Sequence, residues 1–152
     1  MYRWLTRRLS TTQAAWIRRT AKDMPFYRHL GITLQKVSYG QSTIQVNVRR
    51  NLTQGKGAAH GGVAATLIDS AVGLALCTML AGPEFITTIE LKVNFIAPAK
   101  PGLLRAKGRI LHKGKRTAVG EADVRDKAGF LIAKGLVTYM VLGDHDGQAS
   151  EP

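Results

Sequence analysis

Ala59-His60-Gly61-Gly62-Val63-Ala64-Ala65-Thr66-Leu67-Ile68-Asp69-Ser70-Ala71-Val72-Gly73-Leu74-Ala75-Leu76-Cys77-Thr78-Met79-Leu80 reads as one long helix. Gly61 and Gly62 stand at its mouth, and Gly82-Pro83 stops it. Val63, Leu67, Ala71 and Leu74 fall on one face, and Ile68, Val72, Ala75 and Met79 on the next. A helix that is apolar all round is a buried helix. Its small and polar interruptions argue against a membrane span. Gly62, Thr66, Asp69 and Gly73 follow i+4, i+3, i+4 spacing and form one narrow stripe of small and polar groups.

Asp69 is the one carboxylate in this run. Among apolar neighbours it must be hydrogen-bonded or paired. Its plainest role is a bond to a neighbouring hydroxyl, Thr66 or Ser70, with no chemistry attached. The helix mouth offers more. Backbone N–H groups at a helix N-terminus are unpaired and carry partial positive charge, and two glycines let a substrate oxygen come close to them. Asp69 lies about 10 Å from Gly62 at ~1.5 Å per residue. Donors and acid therefore serve one substrate only if it lies along the helix, or if a second chain completes the site.

Outside this stretch the composition sets bounds. The chain of 152 residues has one-domain length, and a hydrophobic content of 45% is ordinary for a globular protein. The single Cys77 excludes an intrachain disulfide and fits a reducing compartment. In an apolar helix it reads as packing, since no neighbour lowers its pKa. His29, His60, His112 and His145 show no metal-ligand spacing, and no metal is expected.

The net charge of +12 points to anionic partners. Arg3, Arg7, Arg8, Arg18, Arg19, Lys22 and Arg28 face only Asp23 in the opening segment. No apolar core of a secretory signal is present there. The pattern reads first as a basic helix packed loosely on the domain. It also resembles a mitochondrial transit peptide, or a membrane-surface helix with Trp4, Leu5, Leu9 and Trp16 as its apolar part. A cytoplasmic location is expected, with mitochondrial import as the other possibility.

Residues 1–22 are helical in patches, Pro25 restarts the helix, and Gly31 closes it. Residues 32–38 and 43–49 form a hairpin, with Ile44, Val46 and Val48 alternating with Gln45 and Asn47. A glycine-bearing loop then delivers the chain to His60. Four strands follow the helix, at 87–97, 103–112, 116–126 and 130–142. In the first, Ile89, Leu91, Val93 and Phe95 share one face, and Thr88, Glu90, Lys92 and Asn94 the other. The tail 143–152 is polar and expected to be disordered. Hairpin, central helix and antiparallel meander make an α+β domain whose sheet wraps the helix.

The order of elements, His60-Gly61-Gly62, Asp69 nine residues on, and Thr87-Thr88-Ile89-Glu90-Leu91-Lys92-Val93-Asn94-Phe95-Ile96-Ala97-Pro98-Ala99 resemble the hotdog-fold acyl-CoA thioesterases. The similarity is to their phenylacetic-acid-degradation (PaaI-like) branch. It covers residues 24–142, so 1–23 is a basic helical extension and 143–152 a polar tail. The resemblance implies about six antiparallel strands around one long helix, and a homodimer, doubled to a homotetramer. Two sites at the subunit boundary would each use the helix mouth of one chain and the acid of the other.

Carried over to this chain, the resemblance makes the Gly61 N–H an oxyanion donor. Losing such a donor costs ~3–4 kcal/mol of transition-state stabilisation. Asp69 would act as general base or attack directly, Thr88 would hold the water, and Gln54 would stand where relatives carry Asn. His60 would support the loop, with a direct catalytic role as the alternative. Gly62, Phe95 and Lys100 would lie near coenzyme A, and His112, Lys113, Gly114, Lys115 and Arg116 would contact its phosphates, Arg as a fork and Lys as a point charge. An ordinary solvated turn is the simpler account of that basic tip.

The expected activity is hydrolysis of a medium-chain or aromatic acyl-CoA, with no cofactor because coenzyme A is part of the substrate. The alternative is a non-catalytic acyl-CoA-binding or sensing module whose basic N-terminus touches DNA or a membrane. Asp69 argues against that module, nucleic acid is the less expected partner, and weak membrane-surface contact stays open. A hydratase is disfavoured, since no suitable Asp–His pair is present.

Overall fold

The computed structural model describes residues 7–82 and 84–143. Trp4 and Leu5 of the basic segment, and the tail beyond Gly143, lie outside the described residues. Helix α1 (Thr11–Asp23) starts at Ser10, whose hydroxyl accepts the Gln13 N–H. Helix α2 (Pro25–Leu30) has proline in its first turn and ends at Gly31, in the left-handed region at φ 76°. Strands β1 (Thr33–Ser38) and β2 (Gln41–Val48) form the expected hairpin. Helix α3 (Gly61–Cys77) is followed by β3 (Phe85–Phe95), β4 (Gly102–Lys113), β5 (Thr117–Asp126) and β6 (Leu131–Leu142).

One antiparallel sheet holds all six strands in the order β1-β2-β4-β5-β6-β3. Three sequence expectations are corrected. The four later strands are not one continuous meander: β4, β5 and β6 are, but β3 pairs with β6 at the far edge. Helix α3 crosses the sheet and hands the chain to that edge, so β4 must return beside β2. The helix also ends at Cys77 rather than Leu80. There Thr78 closes it, its hydroxyl donating to the Ala75 carbonyl and accepting the Gly40 N–H, both at 2.6 Å.

The third correction concerns β3. Thr88 pairs with Tyr139 and Glu90 with Thr138, so Ile89 is an extra residue in a β-bulge. The bulge turns Thr88 to the helix side, the side shared by Leu91, Val93 and Phe95. Simple alternation had placed Thr88 opposite them.

The inner face of the sheet is built from Ile44, Val46, Leu104, Ala106, Ala118, Ala122, Val124, Ala133 and Val137, all buried against α3. Three glycines let the helix come close. A Cβ on Gly108 would lie 2.5 Å from the Ala71 main chain, and one on Gly135 would lie 2.6 Å from Ile68. A Cβ on Gly120 would strike Val72. The Ser42 hydroxyl donates to the Ala71 carbonyl at 2.6 Å and ties helix to sheet.

The outer face is ionic: Arg109 with Glu121, Lys134 with Glu121 and Asp123, and Arg125 with Asp123. Burial pulls both carboxyls upward, but hydrogen bonds from Lys134, Arg109 and Arg125 outweigh it and hold them below the ordinary range.

Helix α1 is joined to the core. Ile17 and Ala21 are buried, and the Gln13 amide donates to the Cys77 carbonyl at 3.1 Å, satisfying one orphan carbonyl at the end of α3. Among the described residues no helix is long and apolar enough to cross a membrane.

Candidate active site

The first half of the site is the mouth of α3. His60 is the N-cap, and its Nδ1 accepts the Gly62 N–H at 2.9 Å. The imidazole is therefore occupied in shaping the mouth. The Gly61 N–H has no protein acceptor among the described residues. Residues 53–59 fold back through the Thr53–Ala59 bridge, with the Gln54 N–H bonded to the Ala58 carbonyl and the His60 N–H to the Leu52 carbonyl. Gln54, His60, Gly61, Phe95, Ile96 and Ile132 line a cavity of about 290 Å³. Phe95 is 61% exposed, and its ring lies so close that a Cβ on Gly61 would sit 3.2 Å from it. Only glycine fits there without displacing the ring.

The second half lies about two turns along α3. Asp69 is half-buried. Thr88 Oγ1 donates to its Oδ1 at 2.9 Å, and the Tyr139 hydroxyl lies 2.9 Å from the same oxygen and 2.6 Å from the Asp69 carbonyl. Asp69 Oδ2 has no protein partner among the described residues. The local-hydroxyl account is not what the structure holds, because the hydroxyls on Asp69 Oδ1 are those of Thr88 and Tyr139, not of Thr66 or Ser70. Burial, with the Asp69 charge and hydrogen bond added, pushes the Tyr139 phenol far up, so it keeps its proton. Tyr139 was absent from the residues singled out in the sequence. It lies 70 residues from its partner, and a tyrosine in a β-rich run carries no local signal.

The structure does not bring every expected residue together within one chain. Asp69 and Thr88 do not line the cavity at the helix mouth. The tip His112-Lys113-Gly114-Lys115-Arg116 joins β4 to β5 at the end remote from that cavity, since Leu104 lines the cavity. Nine residues of strand, ~30 Å at about 3.3 Å each, separate Leu104 from Lys113. Lys113 approaches Glu84 at 3.9 Å, beside the start of β3. Lys100 adjoins Ala99, a cavity-lining residue.

Burial pushes the Cys77 thiol up to about 11, which makes it a poor nucleophile at neutral pH. No three His, Cys, Asp or Glu residues cluster in metal-binding fashion among the described residues.

Comparison with known proteins agrees with this architecture. Residues 56–133 match the family model described as the thioesterase superfamily. Human acyl-coenzyme A thioesterase 13 is 33% identical over 123 residues, covering 78% of this chain and 86% of that protein. A thioesterase family protein from Silicibacter pomeroyi superimposes with a TM-score of 0.81 at 27% identity, over 86% of this chain and 98% of that one. The E. coli PaaI protein of the phenylacetic acid degradation operon shares the fold at a TM-score of 0.79 and 21% identity, over 88% and 97%. Long helix, wrapping sheet, glycine mouth and family match agree, and the chain belongs to the hotdog-fold thioesterase superfamily and is a thioester hydrolase.

Proposed function

We propose that the chain hydrolyses a medium-chain or aromatic acyl-CoA to the free acid and coenzyme A, at sites formed between two protomers. The observation that carries this reading is the division of the machinery. A free N–H donor at Gly61 and a carboxylate at Asp69 stand on one helix, yet the cavity at the helix mouth is lined by Gly61 and not by Asp69. The Gly61 N–H of one chain would polarise the thioester carbonyl and hold the oxyanion. Asp69 of the other chain, with Oδ2 open, would activate water or attack the carbonyl itself; both routes stay available. Thr88 would keep the attacking water beside Asp69, and Gln54 would reach the carbonyl or the water from the loop.

The free edge of β3 supports the two-chain arrangement. Phe85, Ile89, Leu91, Phe95 and the adjoining Ile96 are exposed along or just beyond an eleven-residue edge strand, and such an edge is a template for pairing with another chain. Antiparallel pairing of two β3 strands about a two-fold axis sets the start of one strand beside the end of the other. The basic tip next to Glu84 would then approach the partner's helix mouth, where Phe95 lies over Gly61. His112, Lys113, Lys115 and Arg116 would meet the phosphates of coenzyme A there.

The test is a panel of acyl-CoAs, with thiol release measured for wild type and Asp69→Ala. Hydrolysis of medium-chain or aromatic thioesters, reduced at least a hundredfold in the variant, is the expected result. Full activity in Asp69→Ala would overturn the assignment.

A further inference from the structure

Asp69 is gripped by two hydroxyls, and only one of them, Thr88, has a place in the chemistry above. The other belongs to Tyr139 on β6, which is 4% exposed. A phenol has one proton to give. The Asp69 carbonyl, 2.6 Å away, is the helical acceptor for the Gly73 N–H. The hydroxyl is within hydrogen-bonding distance of both acceptors, 2.6 Å from the carbonyl and 2.9 Å from the side-chain oxygen, and a carboxylate is the stronger acceptor of the two. Thr88 and Tyr139 both address Oδ1, which holds the carboxylate from one side and leaves Oδ2 without a protein donor among the described residues.

The helix makes room for this hydroxyl at one point. A Cβ on Gly73 would fall 2.9 Å from the Tyr139 oxygen, closer than real Cβ atoms come, while the next atoms, Tyr139 Cζ and Ile86 Cδ1, would stand at 3.5 and 3.8 Å. Gly73 has no positive φ, so no backbone requirement calls for glycine. Alanine is better in a helix interior by ~1 kcal/mol. What a side chain at 73 would displace is the Tyr139 hydroxyl, and little else.

We infer that Tyr139 is a positioning residue for Asp69 and that Gly73 is the notch in α3 that admits its hydroxyl. This rests on the reading of Asp69 as the group that activates water. The titratable groups that interact with Asp69 are Tyr139 from β6 and Tyr27 from α2, and Cys77 acts on Tyr27 in turn. No cation among the described residues is ion-paired with it. Loss of the Tyr139 hydroxyl therefore removes one of the two donors that orient the carboxylate.

The experiment compares Tyr139→Phe, Gly73→Ala and the double variant with wild type and Asp69→Ala on the best acyl-CoA of the panel. Tyr139→Phe should lower kcat about tenfold and leave KM within about twofold. Gly73→Ala should reproduce the fall in kcat at unchanged KM by pushing the hydroxyl aside. The double variant should be no worse than Tyr139→Phe, because an alanine at 73 then meets only a ring carbon at ordinary distance. A purely structural pair would instead lower Tm additively and leave kcat in place. Inactive Asp69→Ala beside Tyr139→Phe with wild-type kcat would overturn this inference alone. Fully active Asp69→Ala would overturn the reading of Asp69 and this inference with it.

Discussion

Thr88 shows how one hydroxyl acquires a role from its neighbours. On an exposed edge strand a threonine is unremarkable, but this one donates to the sole carboxylate on a buried helix at 2.9 Å. A hydrogen bond to a charged group contributes ~1.5–3 kcal/mol. Thr88→Val keeps the shape and removes the donor. It should lower kcat at saturating acyl-CoA about tenfold, equivalent to ~1.4 kcal/mol, with little change in Tm. A rate within twofold of wild type would remove Thr88 from the mechanism. Asp69 and His60-Gly61-Gly62 were legible in the sequence because their signals are local: a charge in an apolar run, and glycines where a helix begins. The partners of Asp69 were legible only in part, since Thr88 came through family resemblance and Tyr139 comes through tertiary pairing alone.

The contact between α3 and the sheet governs the next scale. Gly108, Gly120 and Gly135 occupy neighbouring positions on β4, β5 and β6, where side chains would meet the helix. At Gly108 the obstacle is main chain, which cannot rotate away. Gly108→Ala should therefore cost about 3 kcal/mol, the upper range for overpacking, and lower Tm by roughly 6–12 °C at this chain length. Thermal unfolding checks it, and a Tm within 2 °C of wild type would refute so tight a contact. Strand existence and the burial of most of α3 followed from residue period, but the helix is not buried all round: the stripe of Gly62, Thr66, Asp69 and Gly73 falls short of full burial. The path of β3 to the far edge did not, because alternation says which face is inward and nothing about which strand is adjacent. Nor does alternation show where a ladder holds an extra residue, which is why Thr88 was assigned to the wrong face.

For the whole molecule, the long free edge of β3 and the separation of Gly61 from Asp69 make one prediction. In the proposed homodimer each chain supplies what the other lacks, so assembly and hydrolysis stand or fall together. Replacing Ile89 and Leu91 together by Lys places charges on that edge, a device by which natural sheets block pairing. Light scattering should show a fall from dimer to monomer mass, and hydrolysis should drop at least a hundredfold while circular dichroism stays folded. A wild-type monomer with full activity would refute the two-chain site. The helix mouth and the acid could be found by reading one chain; their proposed cooperation came only through the family resemblance, because it would depend on a contact between chains that residue period does not describe.

The extra residue at Ile89 has a consequence for chain length. Every rung from Phe85–Leu142 to Phe95–Ala133 is made without it, so a chain lacking position 89 would keep the same cross-strand partners and still turn Thr88 toward the helix. A one-residue gap there alters curvature but not chemistry, and aligned homologues that differ in length at this point can share the same hydroxyl–carboxylate pair.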